Sequence, residues 1–108
     1  MEFSEIIRKI DKFNRERGWD VTHTGERVLI ALMTEVGELA EIYKWRPQGK
    51  PLSKEEKSSL ERELADIFIY LACIALTEGI DLESGVLEKI GINRGKYPIS
   101  EAQKEWEK

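Results

Sequence analysis

The residues 35–43, EVGELAEIY, and 63–71, ELADIFIYL, decide the fold. Each segment begins with two acidic residues three positions apart and continues with apolar residues at the spacing of one helix face. With about 100° of rotation per residue, both segments place the first carboxylate at the edge of the apolar stripe and the second about 60° further round. If the two stripes pack together, the four carboxylates meet. They belong to Glu35, Glu38, Glu63 and Asp66.

Four acidic side chains beside a helix interface need a source of positive charge. Like charges a few ångströms apart oppose joint ionisation, and burial removes the water that solvates them. A divalent cation is the simplest neutraliser, so the matching register predicts a metal site. The alternative is a solvated helix face, because carboxylates three apart also occur at Glu2 and Glu5 and at Glu78 and Asp81.

Helical periodicity extends over most of the chain, and no segment of useful length alternates with the period of a strand. We therefore predict an all-α bundle of four to five helices in a single domain over residues 1–108. The long helices are expected over residues 3–17, about 25–45, 53–79 and 81–97.

Finer features of these helices also follow from the sequence. Ser53 and Glu56 form a capping-box signature, and Ser100 and Gln103 predict a cap for a short terminal helix. Residues 21–24 are expected to form a loop. The last long helix is expected to bury Leu82, Val86, Leu87 and Ile90.

Size and composition are those of a small globular domain. The chain has 108 residues, of which 41% are hydrophobic and 35% are charged. A domain of this size buries only about two thirds of its unfolded surface, and a helical one often completes its core with another subunit. We expect a homo-oligomer, either a dimer or a tetramer.

Charge and hydropathy narrow the classes of partner. A net charge of −4 and the lack of a Lys/Arg-rich run argue against a nucleic-acid polymer. No apolar run approaches the length of about 20 residues that spans a membrane, and residues 1–5 lack a signal-peptide pattern, so a cytoplasmic protein is expected. Cys73 is the only cysteine and lies in an apolar run, which indicates a small core residue without a catalytic role.

The donor set predicts the kind of metal. Four carboxylates without histidine or cysteine favour Mg²⁺, with Mn²⁺ as a substitute, over zinc. A ferritin-like di-iron centre needs Glu-x-x-His on two helices, whereas the single histidine, His23, lies in the expected loop. An EF-hand is excluded because its twelve-residue ligand loop is missing from the sequence.

Magnesium usually completes its coordination shell with water and substrate phosphates, which indicates a phosphate-containing ligand. The last long helix carries candidate phosphate-binding side chains, although basic residues there also complement the helix dipole. These are Lys89, Asn93, Arg94 and Lys96. Trp19, Trp45 and Tyr70 lie where a base could stack, or alternatively anchor helix ends.

Three ordered segments, residues 35–45, 63–71 and 89–98, together resemble the MazG-like nucleoside triphosphate pyrophosphohydrolases, most closely the dCTP pyrophosphatase branch. The resemblance extends from about Phe13 to Pro98. It implies a helical-bundle enzyme that uses Mg²⁺ to convert a nucleoside triphosphate and water into the monophosphate and pyrophosphate, and so limits non-canonical or excess nucleotides. The family's metal ligands correspond to the four acids selected above.

The resemblance also implies contacts to the nucleotide. The corresponding aromatic and loop positions are Trp19, His23, Trp45 and Tyr70. The carboxy-terminal motif of the family matches Lys89, Asn93, Lys96 and Tyr97. Two departures leave the base preference open: Thr34 stands where many members have a further glutamate, and Ile10 where some relatives have a histidine that reaches the nucleotide.

Our mechanistic hypothesis is that Glu35 or Glu38 orients or deprotonates the attacking water while the four acids hold the metal. Two alternatives stay open. The chain could be a helical oligomeric scaffold or interaction module, which needs no divalent metal. The same fold could also act on dUTP or phosphoribosyl-ATP.

Overall fold

The computed structural model describes residues 2–101, and in this part of the chain every regular element is an α-helix. The predicted all-α class is confirmed. The five helices are α1 (Phe3–Glu16), α2 (Trp19–Thr22), α3 (Gly25–Lys44), α4 (Lys54–Glu78) and α5 (Leu82–Lys96). Gln103, one of the two residues of the expected terminal cap, lies outside the described residues.

The ends of α4 follow the signals in the sequence. Ser53 Oγ accepts a hydrogen bond from the Glu56 amide at 3.1 Å, and the Glu56 carboxylate accepts one from the Ser53 amide at 2.9 Å. This confirms the capping box, which satisfies two otherwise unpaired amides of the first turn. At the other end Gly79 adopts a left-handed conformation with φ of 66°, which a residue without a Cβ adopts at little cost.

The expectation that residues 21–24 form a loop is wrong at its start, because α2 extends over Trp19–Thr22. Gly18, with φ of 72°, lets the chain turn between α1 and α2. The Trp19 ring then packs edge-on against Phe13 of α1, with 5.7 Å between the ring centroids. This aromatic contact holds the short helix in place.

Helices α3 and α4 form the main packing unit, and α1 lies against α2 and α4. Among residues 2–101, the most buried hydrophobic side chains all lie on α3 and α4. They are Val28, Leu32, Ala72 and Ala75. The small side chains of Ala72 and Ala75 allow the helices that pack on α4 to lie close to it. The register of the acidic pairs is therefore set by the α3–α4 interface.

The expectation that α5 buries its apolar residues is wrong for the single chain. No residue of α5 is buried, and α5 does not pack extensively against another described helix. Val86, Leu87 and Ile90 are between 45% and 64% exposed. The sequence identifies an apolar face, but this chain does not supply the surface that would cover it. Within the described residues, no helix has the length and apolar character needed to cross a lipid bilayer.

Candidate active site

Three of the four predicted acids converge between α3 and α4. One carboxylate oxygen each from Glu35, Glu63 and Asp66 lie within 4.8 Å of one another. Glu35 and Glu63 are half-buried, whereas Asp66 is exposed. The convergence arises because both helices turn the first carboxylate of their acidic pair toward the shared apolar interface.

The fourth acid, Glu38, lies one turn along α3 and is exposed. It is outside the group of three, but its charge contributes to the raised pKa of Glu35. Glu38 therefore lies beside the cluster, where it can act on a ligand without being one of the three converging oxygens.

The cluster is electrostatically unfavourable when all its members are ionised. The pKa of Glu35 is raised from 4.5 to about 7, first because a hydrogen bond to Glu63 favours its protonated form, then through desolvation and the charges of Glu38 and Glu63. No ion pair within residues 2–101 involves these acids. Glu63 Oε2 is buried without a hydrogen-bond partner in that part of the chain. A proton on Glu35 relieves part of the repulsion.

These observations fit a divalent cation. Ionised carboxylates are acceptors only, so Glu35 and Glu63 cannot satisfy each other without a proton or a cation between them. An all-oxygen set suits Mg²⁺ or Mn²⁺. Glu35, Glu63 and Asp66 are the residues that could hold such an ion, with the unpaired Glu63 Oε2 as a ready ligand atom.

An aromatic cleft adjoins the cluster. A cavity of about 320 Å³ lies between α1, α2, α3 and α4, and Asp66 forms part of its wall. The Trp19 and His23 rings stack with 5.0 Å between centroids and an interplanar angle of 25° on one side of this cavity. The half-buried Tyr70 also lines it. The structure thus brings three predicted nucleotide contacts, Trp19, His23 and Tyr70, together beside the acids.

Tyr70 connects the cleft to the cluster. Its pKa is raised, first by desolvation and then by the negative charges of Glu35 and Asp66. The phenol therefore stays neutral near physiological pH and keeps its O–H donor beside the carboxylates.

The remaining predicted contacts lie elsewhere in the single chain. Trp45 is 82% exposed at the end of α3, where the Lys44 ammonium lies 5.0 Å from its ring centroid. Four further residues lie on or just after α5, the helix that packs on no neighbour extensively. They are Lys89, Asn93, Lys96 and Tyr97. One chain does not bring them to the cluster.

Sequence reasoning missed two residues of the cleft, Asn14 and Cys73. Cys73 is half-buried, as a small core residue would be, but it also lines the cavity and accepts a hydrogen bond from Asn14 Nδ2 at 3.2 Å. One signal was available: asparagine is unfavourable inside a helix, so its position next to Phe13 near the end of α1 called for an explanation.

Comparison with known proteins identifies the family. The model of the MazG nucleotide pyrophosphohydrolase domain matches residues 23–96, which include all four acids of the two pairs. The chain belongs to this family. The resemblance expected from the three sequence motifs is therefore confirmed.

Relatives of this MazG domain include dCTP pyrophosphatase 1 from Homo sapiens, which is 41% identical over 99 residues covering 87% of this chain and 58% of the human protein. The Rattus norvegicus dCTP pyrophosphatase 1 is 37% identical over 100 residues, which cover 88% of this chain and 59% of the rat protein. The chain therefore spans about three fifths of the length of these curated relatives.

A solved structure shares the fold of the MazG domain. The crystal structure of a pyrophosphatase from Archaeoglobus fulgidus DSM 4304 superposes with a TM-score of 0.71 and 31% sequence identity. The match covers 88% of this chain and 91% of the archaeal chain.

Proposed function

We propose that this MazG domain hydrolyses a nucleoside triphosphate, with dCTP as the leading candidate, to the monophosphate and pyrophosphate in a Mg²⁺-dependent reaction. The observation that carries the proposal is the convergence of Glu35, Glu63 and Asp66 beside an aromatic cleft. The family and the dCTP pyrophosphatase relatives support the choice of reaction and substrate.

In this proposal Glu35, Glu63 and Asp66 hold Mg²⁺, and Glu38 completes the acidic set. Mn²⁺ is the expected substitute, since both ions prefer oxygen ligands. The bound ion would neutralise charge on the triphosphate and polarise its α-phosphorus.

We assign the water-activating role to Glu38, with Glu35 as the alternative. Glu38 lies one helix turn from Glu35 and outside the three converging oxygens, so its carboxylate can accept a proton from water while those three oxygens face the metal. The water oxygen then forms a bond to the α-phosphorus, and the bond from that phosphorus to the bridging oxygen of the β-phosphate breaks. Pyrophosphate leaves, and the nucleoside monophosphate retains the new oxygen.

The cleft holds the nucleoside. A base between Trp19, His23 and Tyr70 would gain roughly 1–3 kcal/mol from stacking on an aromatic face. The Tyr70 hydroxyl, kept neutral beside Glu35 and Asp66, can donate a hydrogen bond to the sugar or phosphate.

The α5 residues and Trp45 complete the site from a second copy of the chain in a homodimer or homotetramer. Large apolar side chains of α3 and α5 are exposed, including Ile30 at 68%, Met33 at 67% and Leu87 at 64%. Large apolar side chains left exposed on two helices of a single chain are typical of an interface between subunits. Association would cover this surface. It would also bring four side chains toward the phosphates of a nucleotide bound by the other subunit, namely those of Lys89, Asn93, Lys96 and Tyr97.

A product assay tests the function. Purified protein is incubated with Mg²⁺ and a panel of dCTP, dUTP, other nucleoside triphosphates and phosphoribosyl-ATP, and the products are separated. Release of pyrophosphate with the monophosphate supports the proposal, whereas diphosphate with inorganic phosphate contradicts it. A scaffold or interaction module would release neither product and would show no metal requirement.

A further inference from the structure

We propose that Asn14, held by Cys73, determines base specificity by selecting nucleobases that carry an exocyclic amino group. The inference rests on the proposed function, because it assumes that the cleft holds a nucleoside. It goes beyond that function by naming the residue that reads the base and the chemical group that it recognises.

The position of Asn14 is the first argument. The cavity of about 320 Å³ beside Asp66 adjoins a second cavity of about 180 Å³, and both are lined by Asn14, Trp19, His23 and Cys73. Asn14 therefore borders both cavities, whereas Asp66 lines only the first. A nucleotide with its phosphates at the acids would extend its base toward Asn14.

The hydrogen bonding of Asn14 is the second argument. Nδ2 donates to Cys73 Sγ at 3.2 Å, and Oδ1 has no hydrogen-bond partner among residues 2–101. The half-buried amide thus keeps one strong acceptor and one further N–H for a ligand. Cys73 Sγ is a weak acceptor, so this internal hydrogen bond competes little with a ligand for the amide.

The orientation of the amide provides the selectivity. With Nδ2 turned to Cys73, Oδ1 can accept from the amino group of cytosine or adenine while the second N–H donates to the adjacent ring nitrogen. This is the type of paired contact by which asparagine reads bases. Uracil and hypoxanthine present a carbonyl and a ring N–H at these positions. Matching them requires the amide to turn over, which leaves Oδ1 against a thiol that is only a weak donor.

The test compares matched substrates on the same enzyme preparation. For each variant, kcat/KM is measured for dCTP and dUTP and for dATP and dITP, and the ratio within each pair is calculated. The first pair tests recognition of the cytosine amino group, and the second tests recognition of the adenine amino group. The wild type should favour the amino-bearing member of at least one pair by about 5- to 100-fold, the range for one paired base contact. A ratio near one in both pairs would overturn the inference.

Three variants of the cleft localise the effect, and a fourth variant outside it is the control. Asn14→Leu keeps the approximate volume and should bring the ratio to within about twofold of one, whereas Asn14→Asp, which only accepts, should keep the preference for the amino group. Cys73→Ala frees the amide and should narrow the ratio. Gln48→Leu removes an exposed amide outside the cleft and should leave the ratio unchanged. An unchanged ratio in Asn14→Leu, with hydrolysis intact, would refute the role of Asn14.

A binding measurement separates this inference from the proposed function. Isothermal titration with the pairs dCMP and dUMP, and dAMP and dIMP, in the presence of a chelator reports base recognition without hydrolysis. If no nucleotide is hydrolysed but the amino-bearing member of one pair binds more tightly and Asn14→Leu removes the difference, the proposed function fails and the base-reading role stands. Equal binding within both pairs by the wild type contradicts the base-reading role.

Discussion

Glu35 on α3 and Glu63 on α4 bring carboxylate oxygens within 4.8 Å of each other, and Glu63 Oε2 is buried without a hydrogen-bond partner in residues 2–101. Two acids in this relationship reduce stability unless a proton or a cation lies between them. A site that binds a cation tightly is expected to be less stable without it, because the cation supplies the positive charge that offsets the repulsion between the acids. The first two predictions use this pair.

Replacement of Glu63 by Gln should abolish Mg²⁺-dependent hydrolysis, with a loss of at least about 100-fold, since even indirect supports of a metal site cost 10- to 100-fold. The substitution removes one ligand charge and keeps the side-chain shape, so circular dichroism should show an unchanged helical fold. Glu61→Gln, at an exposed position of α4, is the matched control. Full activity in Glu63→Gln would refute the metal-site assignment.

Replacement of Glu35 by Gln should raise the melting temperature by a few degrees when a chelator is present. The neutral amide removes like-charge repulsion with Glu63 and Glu38, and it can donate a hydrogen bond to Glu63. Titration with Mn²⁺ should raise the melting temperature of the wild type, because ligand binding stabilises the folded state, but not that of Glu35→Gln. Glu41→Gln, in an exposed ion pair with Lys44, should behave as the wild type does. If Mn²⁺ stabilised the wild type and Glu35→Gln equally, the assignment of Glu35 to the metal site would be contradicted.

Replacement of Trp19 by Ala should raise KM for the nucleotide by about 5- to 100-fold, which corresponds to the stacking energy of one base. The change in kcat should be smaller, because in the proposed complex the ring contacts the base and not the reacting phosphorus. Val21→Ala changes a side chain of the same short helix that is 81% exposed and should leave KM unaltered. A drop in kcat alone would indicate that Trp19 acts through the fold of α2.

The sequence indicated which helix faces carry the acids because each half of the cluster is encoded locally. The 3.6-residue period fixes which face carries Glu35 and which carries Glu63, and the Ser53 cap and Gly79 stop fix the length of α4. The contact between Asn14 and Cys73 joins residues 59 positions apart, and no local pattern specifies it. The exposed face of α5 shows another limit, since periodicity identifies an apolar stripe without naming what covers it.

Replacement of Ile90 by Glu should convert the proposed oligomer to a monomer. Ile90 lies on α5, is 45% exposed in the single chain and would be buried by a second subunit. Burying an unpaired charge is unfavourable, so association should weaken. Sedimentation velocity should show one smaller species and circular dichroism a retained helical content. Glu88→Gln, a polar change on the same helix, should keep the oligomer. A wild type that sediments as a monomer would contradict the proposed assembly.

The link between α3 and α4 should make stability depend on pH through Glu56. The pKa of Glu56 is lowered from 4.5 to about 2, first by the hydrogen bond from the Ser53 amide and then by the hydrogen bond from Arg46, with a further contribution from the positive charge of Arg46. Arg46 also donates to the Lys50 carbonyl at 2.9 Å, so these contacts fasten the connecting loop to the start of α4.

The sign of the effect follows from the lowered pKa. Above about pH 4.5 Glu56 is ionised in both the folded and unfolded states, and its contribution to stability is fully present. As the pH falls from about 4.5 to about 2, the unfolded chain binds the proton first, so the contribution is lost. The melting temperature of Glu56→Gln should therefore be lower than that of the wild type at pH 6. The two melting temperatures should converge near pH 2. Glu55→Gln, an exposed neighbour, is the control. If the melting temperatures of wild type and Glu56→Gln differed by the same amount at every pH, this carboxylate would not secure the loop that connects the two acidic helices.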